Sequence, residues 1–175
     1  DPAFALYEAP ATFLSPYRLQ VGSTCLSAKS FIIATGSVPR EVAIPGLAEA
    51  GCVTSDSVLD RREQPESLIV LGAGPVGLEF AQFFARIGTQ VTLVQRAPHV
   101  LSHLDADVGV ALGQALAAEG LRVMTDTQAL RVQRDGKKMA VSVMHKGEEE
   151  VLAGDLVLNA LGRVPNIAGL NLSAA

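Results

Sequence analysis

The stretch from Ser67 to Glu79 leaves a chain little choice of fold. Four aliphatic residues, Leu68 to Leu71, run into Gly72, Gly74 and Gly77, and a helical pattern starts at once behind them. So short an apolar run, bounded by Pro65 and Gly72, predicts a strand buried on both faces. Pro75 suits a first helical turn, where its missing N–H costs nothing. Val76, Phe80, Phe83, Phe84 and Ile87 then recur at helical spacing as far as Gly88. Each glycine answers a separate demand: Gly72 a tight turn, Gly74 close approach of a pyrophosphate to the backbone, Gly77 close packing of helix on strand. A turn of this kind offers unpaired N–H groups and the positive end of a helix to an anion, so the stretch reads as a phosphate cradle.

The flanking sequence supplies the rest of a dinucleotide-binding unit. A second strand, Gln90 to Val94, follows the helix. The position that reads the adenosine ribose falls about 20 residues beyond the first glycine, at Gln95 and Arg96. Asp105 predicts the cap of a second helix, with Val108, Ala111, Leu112, Ala115 and Leu116 on one face and Gly120 closing it, and Leu121 to Thr125 reads as a third strand. Residues 67–125 therefore spell β-α-β-α-β, the mononucleotide-binding half of a parallel sheet.

Outside that unit the pattern turns to short strands. Ala129 to Gln133, Met139 to Met144 and Val151-Leu152 alternate around Asp135-Gly136 and Lys146-Gly147, a three-stranded antiparallel meander. Phe4 to Tyr7, Phe13, Arg18 to Val21 and Cys25-Leu26 read as another small meander near the start. Ser30 to Ala34 and Asp155 to Ala160 read as buried strands that run into the glycine turns Thr35-Gly36 and Leu161-Gly162. Ser55-Asp56, followed by Val58, Leu59 and a charged run, predicts a short helix ahead of Pro65. The Pro- and Gly-rich stretch from Val38 to Gly46 reads as a domain boundary. The fold class is thus α/β, a Rossmann-like βαβαβ parallel sheet with an antiparallel meander.

Composition narrows the function. Hydrophobic residues make up 49% of the 175 and charged residues 18%, which fits strands covered on both faces by helices. A net charge of −4 and no Lys/Arg cluster argue against nucleic acid and against a polybasic membrane patch. No apolar stretch is long enough to span a bilayer and no signal-peptide core opens the chain, so the sequence predicts a cytoplasmic protein. Cys25 and Cys52 have no metal-ligand or redox spacing and read as ordinary thiols. His99 and His103 lie four apart without a third ligand, so no metal site is expected, and His145 stands alone beside a turn.

Ile33-Ala34-Thr35-Gly36-Ser37, Ile44-Pro45-Gly46-Leu47, the glycine loop through Glu79, and Gly162-Arg163-Val164-Pro165-Asn166 follow one another in that order. Together they resemble the pyridine nucleotide-disulfide oxidoreductases, the flavoenzyme family of dihydrolipoamide dehydrogenase, glutathione reductase and mercuric reductase. The resemblance implies an NAD(P) domain, residues 39–162, inserted into an FAD domain represented by residues 1–38 and 163–175. It implies that Thr35 and Gly36 lie against FAD. Gly72, Gly74, Pro75, Val76 and Gly77 then form the pyrophosphate loop, and Glu79 orients the nicotinamide. Gly162 lies beside the nicotinamide, with Arg163 near the flavin. In the family, hydride passes from NAD(P)H to FAD and electrons pass on to a cysteine pair.

Departures qualify the match. The family's redox-active C-x-x-x-x-C pair, its first FAD-binding glycine loop, its catalytic His-Glu pair and its late Gly-Asp motif are not in these residues. The chain therefore reads as a core fragment that is inactive alone, whose partners are the remaining FAD and dimerisation domains of the same polypeptide. Two alternatives stay open on sequence: a non-catalytic NAD(P)-binding module, and an NADH oxidase-like or ferredoxin reductase-like flavoenzyme without the cysteine pair. Position 75, often an aromatic gate over the nicotinamide pocket in the family, is Pro75. At the ribose end, Gln95 lacks the carboxylate that would repel a 2′-phosphate, and Arg96 adds a guanidinium fork able to bind one, whereas Gly77 instead of alanine leans towards NAD. On balance NADP(H) is favoured over NAD(H).

Overall fold

A computed structural model describes residues 4–175, so the Asp1 to Ala3 start of the first segment lies outside the described residues. The chain divides into two units: residues 39–162, and a second made of the residues up to Val38 together with Arg163–Ala175.

The two-segment unit is built on an antiparallel meander of β1 (Ala11–Ser15), β2 (Arg18–Val21) and β3 (Thr24–Ser27). Phe13 and Val21 are its buried side chains, and Phe13 meets Phe31 edge to face at 5.2 Å. The C-terminal segment is tied to β1 by two hydrogen bonds. The Thr12 hydroxyl donates to the Gly169 carbonyl at 3.1 Å and the Asn171 amide to the Phe13 carbonyl at 3.0 Å. The strand expected at Ser30 to Ala34 does not form. The segment is irregular, Ile32 is 94% exposed, and no described strand lies alongside to pair with it. Apolar sequence without a neighbouring ladder has no partner for its backbone groups. Phe4 to Tyr7 is likewise irregular and exposed. Beyond Gly36, β4 (Ser37–Pro39) pairs with a short strand at Arg163–Pro165, the last of the chain.

The 39–162 unit is organised around five parallel strands. Beginning from one edge, these are β5 (Val53–Thr54), β12 (Leu156–Asn159), β6 (Ser67–Leu71), β7 (Gln90–Val94) and β8 (Arg122–Met124). Central β6 is buried on both faces, as its run of four aliphatics requires. On one face Leu68, Val70, Leu93 and Leu158 pack under α1 (Pro75–Arg86) and α2 (Ala106–Ala118). On the other, Ile69, Leu71, Val94 and Val157 pack against Val132, Met139, Val141, Val143 and Leu152. These last belong to the meander β9 (Thr127–Asp135), β10 (Lys138–His145) and β11 (Glu148–Gly154).

The sheet is therefore covered by helices on one face only, not on both as composition alone suggests. Handedness explains it. The chain moves β6 to β7 to β8 through two helices on one side, then returns across the sheet to β12. A right-handed return in the opposite direction must cross the other face, and the meander is that crossing.

Two local expectations shift. Residues 55–63 hold only a 3₁₀ turn at Val58–Asp60, because the Ser57 hydroxyl accepts from the Thr54 N–H instead of capping a helix. In α1 the buried stripe is Gly77, Leu78, Ala81 and Phe84, while Phe83 and Ile87 are exposed; in α2 it is Gly109 and Leu116, with Val108 exposed. The small residues mark close approaches to loops, Gly77 to the glycine turn and Gly109 to His99 and Val100, and the contact face turns away from the largest side chains.

Candidate dinucleotide site

The carboxyl ends of β12, β6 and β7 open together into a cleft of about 730 Å³, the size class of small-molecule sites. Its floor is Leu71, Gly72, Ala73 and Gly74 after β6, Gln95 and Arg96 after β7, and Ala160 to Gly162 after β12. Arg40 to Ile44 and Thr127 to Leu130 make its walls. Open parallel sheets place ligands in such a crevice, outside the strands' carboxyl ends.

The three loop glycines sit in three different environments. Gly72 has φ +101°, and a side chain there would lie 2.5 Å from the Ala160 carbonyl oxygen. A Cβ at Gly77 would collide with the Gly72 carbonyl. At Gly74 the same test meets nothing within 4 Å, so its α-carbon faces open space. The first bond of α1 runs from the Leu78 N–H to the Gly74 carbonyl at 3.0 Å. The N–H groups ahead of it lack intrahelical partners and carry the positive end of the helix dipole. A tight turn, an open α-carbon and free donors are what a pyrophosphate needs, and the cradle fits one.

Gln95 does not extend into the cleft as an isolated ribose reader. Its Oε1 lies 3.5 Å from the Ala73 N–H and its Nε2 donates to the His99 carbonyl at 3.3 Å, which ties β7 to the glycine loop. Arg96 is exposed at the cleft edge beside Ser102 and makes no hydrogen bond or ion pair among the described residues. In the wall itself, buried Thr127 donates its hydroxyl to the Thr125 carbonyl at 2.8 Å, and the same oxygen lies 2.6 Å from His145 Nδ1. His99 Nδ1 lies 2.9 Å from the Val100 carbonyl. Cys52 packs against the second core, and burial pushes its thiol up to about 11, so it is protonated at neutral pH and no nucleophile.

Other sequence-nominated residues lie elsewhere. Pro75 and Val76 occupy the first turn of α1 but do not line the cleft. Glu79 is exposed one turn further along, on the wall of a separate hollow of about 220 Å³ with Leu59, Phe80 and Phe83. Thr35 and Gly36 belong to the two-segment unit, where Gly36 has φ +71° and accepts from the Asn166 N–H at 3.0 Å. In the same unit Arg163 donates to the Ser37 hydroxyl at 2.8 Å and carbonyl at 2.6 Å. Gly162 lines the cleft, and its carbonyl accepts from the Arg40 N–H at 2.9 Å. Sequence reasoning passed over Arg40 and the Thr127 to Leu130 wall. Neither belongs to a motif, and both reach the cleft only because the chain folds back.

A family model described as pyridine nucleotide-disulphide oxidoreductase matches residues 2–175. The mercuric reductase of Staphylococcus aureus is 36% identical over 172 residues, covering 98% of this chain and 31% of that protein. The dihydrolipoyl dehydrogenase of Thermus scotoductus is 36% identical over 169 residues, 94% of this chain and 36% of that protein. Among solved structures, the HOCl-induced flavoprotein disulfide reductase RclA from Escherichia coli superposes with a TM-score of 0.82 at 28% identity, covering 95% of this chain and 38% of that one. The chain spans about a third of the length of the curated relatives it matches.

Proposed function

The chain belongs to the pyridine nucleotide-disulphide oxidoreductase family, and from that premise we propose that its 39–162 unit binds the nicotinamide dinucleotide of an FAD-dependent oxidoreductase, with NADP(H) preferred. The observation that carries the reading is the cleft whose floor is the Gly72 to Gly74 turn, with an open α-carbon at Gly74 and no room for a side chain at Gly72 or Gly77. When bound, the nicotinamide supplies a hydride to a flavin. The chain's own part is to bind and orient. The Gly72 to Gly74 turn, packed closely on α1 at Gly77, would hold the pyrophosphate, the first turn of α1 would stabilise its charge, and Gly162 would stand at the nicotinamide end; Glu79, outside the cleft lining, is assigned to the nicotinamide by the family resemblance alone.

In the two-segment unit, exposed Thr35 and Gly36 would form one edge of the flavin site with Arg163 nearby. An α-carbon open at Gly36 leaves room for a flat ring system. The chain spans about a third of the length of the relatives it matches, so on this reading the remaining parts of the enzyme would be supplied by further domains of the same polypeptide.

The NADP(H) preference rests on the ribose end. Gln95 is occupied with the loop, whereas the Arg96 guanidinium is unpartnered and exposed. A charge-assisted hydrogen bond to a 2′-phosphate contributes about 1.5–3 kcal/mol, roughly one to two powers of ten in affinity. Calorimetric titration of the 175-residue chain should therefore show NADPH binding at least about tenfold more tightly than NADH. Arg96→Ala should erase that gap, and Gln95→Glu, which sets a carboxylate beside the phosphate, should narrow it. If neither dinucleotide binds, the site assignment fails; equal affinities overturn only the preference.

A further inference from the structure

We propose that Arg40 holds the phosphate on the nicotinamide side of the dinucleotide's pyrophosphate, as a counterpart to Arg96 at the opposite end of the cleft. The inference rests on the dinucleotide reading above and adds to it a residue that no motif marks. Among the described residues the ionisable side chains that line the cleft are those of Arg40, Glu41 and Arg96. Arg96 follows β7. Arg40 lies beside the end of β12, with the β6 glycine loop between the two in the order of the sheet. In folds of this kind the adenosine half lies on the β7 side, which leaves the β12 side to the nicotinamide half.

The placement of the guanidinium is specific. The Arg40 N–H donates to the Gly162 carbonyl at 2.9 Å and anchors the root of the side chain. Its Nε and Cζ come within 3.7 and 3.9 Å of where a β-carbon on Gly162 would stand, so the group lies over that residue. The chain immediately before Gly162 touches the glycine turn. The position of a β-carbon on Gly72 is 2.5 Å from the Ala160 oxygen and 3.4 Å from the Leu161 α-carbon. The Arg40 side chain and the Gly72 to Gly74 turn thus line one cleft, on either side of the Ala160 to Gly162 segment that touches both.

Charge gives the reason for it to be there. A helix N-terminus supplies the equivalent of about half a positive charge, against two negative charges on a pyrophosphate. No carboxylate satisfies Arg40 among the described residues; Glu41 beside it in sequence also lines the cleft and forms no ion pair with it. An unpartnered fork at the mouth of an anion cradle is placed to grip phosphate in two places.

The test uses calorimetric titration of the 175-residue chain with NADPH, NADH and adenosine 2′,5′-bisphosphate, a probe that lacks the nicotinamide-side phosphate. Arg40→Ala should weaken NADPH and NADH alike by about tenfold or more, and leave the bisphosphate within about twofold. Arg40→Lys should restore part of the loss, since it keeps the charge but not the fork. Arg96→Ala should do the reverse, weakening NADPH and the bisphosphate while sparing NADH. Because the exposed Arg40 side chain makes no hydrogen bond or ion pair among the described residues, the variant should melt close to the wild type, and a melt of each variant checks this. Dinucleotide binding that is indifferent to Arg40→Ala overturns the proposal and spares the dinucleotide assignment. So does an equal loss for the bisphosphate, which would mean a general field and not a contact. Failure of the wild-type chain to bind either dinucleotide brings down both.

Discussion

At Gly77 the volume of a side chain is already taken by the carbonyl of Gly72, so the loop and the helix hold each other in place through an atom that is missing. Gly77→Ala must push the turn away from α1. Overpacking of this kind costs about 1–3 kcal/mol. The expected outcome is a lower melting temperature together with at least about tenfold weaker dinucleotide binding, read by thermal melt and titration on the same sample. A variant with wild-type melting would show that the loop absorbs the methyl and that the close approach is not structural. Gly74→Ala is the natural comparison, because an added β-carbon there meets nothing in the protein and should cost affinity far more than stability. The three glycines are visible in the sequence as a motif. That Gly72 is blocked as well depends on the Ala160 carbonyl, contributed by a strand far along the chain.

Among the elements, β6 and β12 are joined at their starts by a small polar cluster that no pattern announces. Asp155 accepts from the Ser67 N–H at 2.9 Å and hydroxyl at 2.6 Å, and Lys138 Nζ lies 2.7 Å from its other oxygen. In return the Asp155 N–H donates to the Ser67 hydroxyl at 3.0 Å. Lys138 above all, and Ser67 after it, hold the Asp155 carboxyl below the usual carboxylate range. Since folding favours the ionised form, this contribution is complete above the unfolded carboxyl's pKa of about 3.9 and is lost as pH falls through the lower folded value. Asp155→Asn should therefore lower stability by about 1–2 kcal/mol at pH 7. In urea melts the gap to wild type should shrink steadily below about pH 4. A gap that stays constant down to about pH 2.5, well under the ordinary carboxylate range, would mean that the lost contribution is packing, not charge. On the helix face, the exposed Arg86–Glu119 pair joins the ends of α1 and α2 at 3.0 Å, a contact of little weight beside the buried strands.

At the scale of the molecule, every residue that lines the cleft lies between Arg40 and Gly162, inside one of the two units. Residues 39–162 made alone should therefore bind NADPH within about threefold of the 175-residue chain. A loss of tenfold or more, with the melting transition intact, would place part of the site in the other segment. The parallel core is legible in the residues themselves. Leu68 to Leu71, Val91 to Val94 and Leu156 to Leu158 are short, mostly aliphatic stretches with sharp stops, and local pattern suffices to mark them as buried strands. The same rule fails at Ser30 to Ala34, whose pattern is equally apolar, because a strand also needs a neighbour to pair with and none is present among the described residues. Sequence by itself determined the glycine turn, its helix and the position of Gln95 and Arg96 just past the end of β7, since these depend on near neighbours and on spacing. Only the tertiary structure decided that the meander covers the second face of the sheet, that Gln95 turns back onto the loop, and that Arg40 reaches the cleft. Each of these depends on contacts between segments far apart in the chain, and such contacts follow from where the crossovers run and not from the residues on either side.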